Sequence, residues 1–147
     1  MRNSVGPMLR SAEMSEHLVV GAVAEFTKTI TETDLSLFTG ISGDFNPFHV
    51  DEVSSTAGRF GGRIVHGMLT SSFICTVLGM KLPGPGTIHL EQSLRFLAPV
   101  HPGDTITARV EVIEILPRNR VRLRTQCCRH DGELVVDGEA LVIAPAL

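Results

Sequence analysis

The sequence predicts an α+β fold, an antiparallel sheet wrapped around one central helix. Three observations carry that prediction. Apolar and polar residues alternate from Thr105 to Val112 and from Val121 to Cys127, as half-buried strands require. The turn signals "LPRNR" and "RHDGE" follow so closely on these segments that neighbouring strands must pair antiparallel. A single strongly apolar segment, Gly67 to Met80, is available to cover the face such a sheet must bury.

The elements follow in chain order. From Val19 to Ile30, "VVGAVAEFTKTI" has a strand's balance of β-branched and polar residues. Thr31 then opens a helix, with Asp34 three residues on in the place of a capping-box carboxylate. Leu35, Leu37, Phe38 and Ile41 supply its apolar face, and Ser42 and Gly43 end it. A short helix is expected from Asp51 to Ala57, followed by the glycine-rich passage "GRFGGRIVHG". The apolar helix begins near Gly67 and stops at "KLPGPG", because Pro83 and Pro85 cannot continue it. "TIHLEQSLRF" and "ELVVDGEALVIA" flank the two alternating strands and bring the C-terminal half to four consecutive strands. The edges of such a sheet are commonly closed by a second copy, so a homodimer is expected.

Length and charge set the limits. A chain of 147 residues is one domain by its length, expected over 19–147, with 1–18 as a flexible N-terminal tail. That tail carries Arg2, Arg10, Glu13 and Glu16 and lacks the continuous apolar segment of a secretory signal. A net charge of -3 argues against a nucleic-acid partner, which needs a surplus of Lys and Arg on one face. The Gly67 to Met80 run is interrupted by Thr70, Ser71, Ser72 and Thr76 and falls short of the ~20 residues of a membrane span. No membrane association is expected. Three cysteines, two of them the adjacent Cys127 and Cys128, make neither a disulfide framework nor a Cys-x-x-Cys metal pattern, and a reducing, cytoplasmic setting fits them.

The chemistry is concentrated in "SGDFNPFHVDE", Ser42 to Glu52, where Asp44 and His49 flank an Asn-Pro step. Pro47 fixes one backbone angle and restricts Asn46 to extended geometry. A loop this stiff can hold a carboxylate and an imidazole on either side of one water molecule, as addition or elimination of water needs. The amide of Asn46 can orient either partner. The same residues also suit a structural turn, with Asp44 capping the loop backbone and His49 a satisfied buried histidine. The turn alone does not choose between the two.

No serine stands in a Gly-x-Ser-x-Gly elbow, so a nucleophilic triad is not indicated. A zinc site needs a third ligand, for which His66 and His89 are available, but the spacing matches no zinc motif and no metal is expected. Downstream, "GRIVHGML" sets Gly67 at the start of the apolar helix. Free amides there, at the positive end of the helix dipole, can receive a developing oxyanion, and glycine permits close approach of a carbonyl. His66 reads as a buried structural imidazole.

Taken together, "SGDFNPFHVDE", "GRIVHGML", "LPGPGTIHLEQSLRFLAPVHPGD" and "VVDGEA" resemble the MaoC-like family of (R)-specific enoyl-CoA hydratases and 3-hydroxyacyl thioester dehydratases. The resemblance runs from about Val19 to Ala144, and the pattern Asp-x-Asn-Pro-x-His with a later His-Gly is met without departure. It implies a hot-dog fold, the central-helix architecture reached above, and a dimer. It implies Asp44 and His49 as the catalytic pair that adds water to a trans-2-enoyl-CoA thioester to give the (R)-3-hydroxyacyl product. Asn46 would support the pair, and the Gly67 amide would bind the thioester oxygen. No metal or redox cofactor is implied, coenzyme A being part of the substrate.

A hydratase of this kind would serve fatty-acid oxidation or the supply of hydroxyacyl monomers for storage polyesters. The alternatives are a 3-hydroxyacyl-carrier-protein dehydratase of fatty-acid synthesis and a noncatalytic acyl-thioester binding module. Cys75 and Leu78, three apart on one helical face, are expected along the acyl slot, on the resemblance as much as the spacing; core packing suits each as well. Arg63, with Arg59 and Lys81, lies in loops from which it can meet the phosphates of the coenzyme end, though solvated surface charge suits each of them too. The basic "RNRVRLR" has the alternation of a strand's outer face.

Overall fold

Alternation along three long strands builds the sheet. In β4 (Thr105–Leu116) the side chains of Ile106, Ala108, Val110 and Val112 are buried, and in β5 (Arg120–Arg129) those of Val121, Leu123, Thr125 and Cys127. The two strands pair so that Val110 stands opposite Thr125 and Val112 opposite Leu123, which puts both apolar rows on the same face. β6 (Leu134–Ile143) continues that face with Val136, Ala140 and Val142. The computed structural model of the chain describes residues 18–145. The tail expected over 1–18 therefore lies outside the described residues except for Leu18, which packs partly buried against the core.

The sheet is antiparallel throughout, in the order β1 (Val23–Thr29), β4, β5, β6, β2 (Ile88–Gln92), with β3 (Arg95–Phe96) also on β6. Register shifts at His89/Glu91, Val112/Glu114 and Cys127/Cys128 bend and twist the strands. The result is a curved sheet around one helix, the hot-dog architecture that the resemblance implied.

The helices are α1 (Glu32–Ser42), α2 (Pro47–Val50), α3 (Glu52–Thr56) and the central α4 (Gly67–Met80). α4 packs against β4, β1 and β5. It buries Leu69, Phe73, Ile74, Val77 and Leu78, each worth about 1.5–3 kcal/mol relative to exposure. Among the described residues no helix is long and apolar enough to cross a membrane.

Three details correct the reading of the sequence. The first strand begins at Val23, because Gly21 adopts φ 89° and the Ala22 N–H closes a turn on the Val19 carbonyl. In α1 the inward stripe is Leu35, Phe38 and Thr39, while Leu37 and Ile41, four apart on a second stripe, are 60% and 84% exposed. His49, expected in a loop, lies in α2, because Pro47 at the first helical position has no N–H to lose. The other turns are as expected: Thr31 and Asp34 form a reciprocal capping box, and "RNRVRLR" turns its arginines outward, with Arg122 bonded to Glu114 at 3.2 Å.

Candidate active site

The site forms where the N-terminus of α4 meets the turn after α1. Gly43 closes α1 in the left-handed conformation, with φ 73°, and three nested bonds then shape the turn. The Asp44 N–H donates to Ser42 Oγ at 3.2 Å, the Asn46 N–H to Asp44 Oδ1 at 3.1 Å, and the Phe48 N–H to Asn46 Oδ1 at 3.1 Å. One oxygen of the Asp44 carboxylate is thus held by the turn and the other is left free. The side chain of Asn46 was expected to orient a reacting group; it caps α2 instead, and its support for Asp44 comes from the backbone N–H.

His49 is fixed from the opposite side. Its Nδ1 lies 2.8 Å from the Ile64 carbonyl, which can only accept, so the ring proton is assigned to Nδ1 and Nε2 keeps its lone pair. That lone pair is 3.7 Å from Asp44 Oδ2. Two acceptors at this separation cannot bond each other, and a water molecule can donate one hydrogen to each.

Residues 63–66 are laced in place. The Ile64 N–H donates to the Phe48 carbonyl at 2.9 Å, the Val65 N–H to the Val100 carbonyl at 2.7 Å, and His101 Nδ1 to the Arg63 carbonyl at 2.9 Å. His66 closes the group: its Nε2 is 3.0 Å from the Asp44 carbonyl and its ring lies on His49 with centroids 3.8 Å apart and 28° between planes.

Gly67 follows as the first residue of α4, and its N–H has no acceptor among the described residues. A Cβ there would stand 2.7 Å from Phe96 Cε1, so the close approach of that ring requires glycine. His49, Gly67, Met68, Phe96, Val136 and neighbouring residues line a largely apolar cavity of about 410 Å³. Its size and lining suit a small, largely apolar ligand.

Asp44, His49 and His66 offer ligand atoms that all lie within 4.8 Å of one another, a grouping the spacing in sequence did not anticipate. It has the composition of a two-histidine carboxylate centre. The geometry fits a metal poorly, because His66 Nε2 is engaged with the Asp44 carbonyl and the two imidazoles are stacked rather than converging on one point.

Three expected binding residues lie elsewhere. Cys75 and Leu78 are eight and eleven positions beyond Gly67, about 12 and 16 Å along the helix axis. Leu78 is buried in the core, while Cys75 is exposed, its sulfur 4.0 Å from His89 Nδ1. Neither lines this cavity. Arg63 turns away from it: Nε meets Glu52 at 2.7 Å and the two terminal nitrogens meet Glu32 at 2.7 and 3.0 Å. These bonds hold its guanidinium above the ordinary range and make it a strut between the first turns of α1 and α3. Lys81 donates to the Glu25 carbonyl, which leaves Arg59, set over the Phe60 ring at 4.7 Å, as the cation beside the cavity. Phe60, Met68 and Phe96 were missed; the available signal was three large apolar residues in or beside the loops that flank the motif.

A turn-borne carboxylate and imidazole with room for one water between them, beside a helix N–H unpaired among the described residues and an apolar cavity, have the composition of a site for adding or removing water at an acyl compound. The chain belongs to the MaoC-like family: the family model described as MaoC like domain matches residues 19–131. It is 46% identical over 131 residues to an (R)-specific enoyl-CoA hydratase of Rhodospirillum rubrum, covering 89% of this chain and 91% of that one. It is 45% identical to a 3-hydroxybutyryl-CoA dehydratase of Methylorubrum extorquens, covering 88% and 83%. Among solved structures, an R-hydratase from Pseudomonas aeruginosa in unliganded form superposes with a TM-score of 0.86 at 47% identity, covering 91% of this chain and 86% of that chain.

Proposed function

We propose that this protein is an (R)-specific enoyl-CoA hydratase, a hydro-lyase that reversibly adds water to a trans-2-enoyl-CoA. The observation that carries this reading is the pair of bare acceptors, His49 Nε2 and Asp44 Oδ2, 3.7 Å apart, with His49 lining the cavity. The water they share loses a proton to the pair as its oxygen bonds to C3 of the enoyl group. The electron pair of the C2–C3 double bond moves onto the thioester oxygen, where the Gly67 N–H stabilises the charge. C2 then takes a proton from the same side, which makes the addition syn, and the reverse sequence is dehydration. Water is added without change of oxidation state overall, so the reaction calls for no redox cofactor, and the two side chains supply the proton transfers without a metal.

Arg59 is the cation set to meet the phosphates of the coenzyme. A homodimer is the working unit in this reading, for β2 is an edge strand with Ile88 and Leu90 exposed along it, and a second copy can continue the sheet there. The test is chiral analysis of the product formed from crotonyl-CoA and from a longer trans-2-enoyl-CoA. Formation of (R)-3-hydroxyacyl-CoA alone is expected; the (S) product, or none from either substrate, contradicts the reading.

A further inference from the structure

We infer that His66 is a positioning residue for the water-adding pair, holding Asp44 through its backbone and His49 through its ring; the inference rests on the hydratase reading above. Three observations meet at this side chain. It is 3% exposed, so packing alone would favour an apolar residue in its place. Its Nδ1 is buried with no hydrogen-bond partner among the described residues, a cost that phenylalanine would not incur. Its other edge and its face are both engaged, Nε2 with the Asp44 carbonyl at 3.0 Å and the ring with His49 at 3.8 Å.

The carbonyl can only accept, so His66 carries its proton on Nε2, the opposite tautomer to that of His49. The donated hydrogen fixes the backbone of the one residue whose carboxylate must face His49 Nε2. The flat ring limits the tilt of His49, which is otherwise fixed by its single bond to Ile64. Phe38, 5.1 Å from His66 on ring centroids, supports the stack from outside. His66 is also the residue before Gly67, so a single backbone step couples the position of the pair to that of the oxyanion donor.

The test separates the ring from the hydrogen bond. His66→Phe keeps a flat ring and loses the donor, whereas His66→Gln keeps a donor able to reach the Asp44 carbonyl. With crotonyl-CoA, His66→Phe should lower kcat about 10- to 100-fold, as small displacements of reacting groups do, with KM within about threefold of the wild type. Its thermal midpoint should hold or rise, and His66→Gln should recover most of the lost kcat. Wild-type turnover in His66→Phe, or a loss that merely follows a fall in thermal midpoint, overturns the inference while leaving the hydratase reading intact.

Nitrogen NMR of the histidine rings gives a readout that does not need turnover. Nε2–H on His66 and Nδ1–H on His49 are expected, and Nδ1–H on His66 overturns the inference. A wild type inactive on every enoyl thioester overturns the hydratase reading itself, which keeps the two failures apart.

Discussion

The two ends of α4 hold similar side chains and differ in what they can do with them. At the N-terminal end Asp44, His49 and His66 gather just ahead of Gly67, whose N–H has no acceptor among the described residues. Toward the C-terminal end Cys75 faces His89, whose Nε2 is 3.1 Å from Gln92 Oε1, so a thiol, an imidazole and an amide also stand in a row. Neighbouring atoms partly desolvate the thiol of Cys75, exposed residue though it is, and hold it above its ordinary range, and at this mid-helix position the backbone N–H groups are used within the helix. Such a place disfavours an anion. A free helix N–H and tautomer control, rather than the inventory of residues, decide which end can handle a developing negative charge.

The sharpest way to break this contrast is at the pair itself. Asp44→Asn or His49→Gln should each lower turnover roughly 10²- to 10⁴-fold. Asp44→Asn keeps an acceptor for the Asn46 N–H, so its circular dichroism and thermal midpoint should match the wild type, and a folded variant with normal turnover would remove Asp44 from the mechanism.

Ile74, 1% exposed midway along α4, serves both ends alike, and Ile74→Ala should cost about 2–5 kcal/mol of stability by denaturant unfolding. Gly67→Ala acts on one end only. Its Cβ must push aside the Phe96 ring, which is 54% exposed and free to turn, so the helix N–H should stay in place, kcat/KM should fall less than with either change at the pair, and adding Phe96→Leu should recover part of the loss.

Smaller effects sharpen the contrast by staying away from the site. Asp34 is held at about 2, chiefly by its bond to Lys28 and then by Thr31. A carboxylate depressed in the fold adds stability that is complete above its ordinary value of 3.8 and disappears as pH falls through about 2. Asp34→Asn should therefore be less stable by about 1 kcal/mol at neutral pH, after allowance for solvent screening, and the gap should close between about pH 4 and pH 2. Smallest of all, Cys75→Ser should leave turnover within about twofold, since the thiol stands outside the cavity described here.

Much of the fold was legible because its signals are local. Alternation in β4 and β5 repeats every two residues, the capping box spans Thr31 to Asp34, and no other segment matched Gly67 to Met80 in apolar content. That Asp44, His49 and Gly67 would come together was legible for a related reason, since two short motifs and a family resemblance carry the expectation. What escaped was tertiary. His66 reaches His49, seventeen positions away, only because Ile64 bonds Phe48 and Val65 bonds Val100. Arg63 finds Glu32 across an intervening helix, and with that pairing its expected role at the phosphates falls away. Helical spacing put Cys75 and Leu78 on one face beside an acyl slot, whereas Leu78 is buried in the core and Cys75 is exposed, so the spacing carried no information on where along the helix the cavity opens.

The most direct test of the central claim is the loss of conjugated enoyl absorbance when the purified protein meets crotonyl-CoA, run beside Asp44→Asn and Cys75→Ser. Fast loss with the wild type and Cys75→Ser, and a rate at least about 10²-fold lower with Asp44→Asn, is the predicted result. Equal rates for the wild type and Asp44→Asn, or a loss of activity confined to Cys75→Ser, would contradict the account and move the chemistry to the other end of the helix.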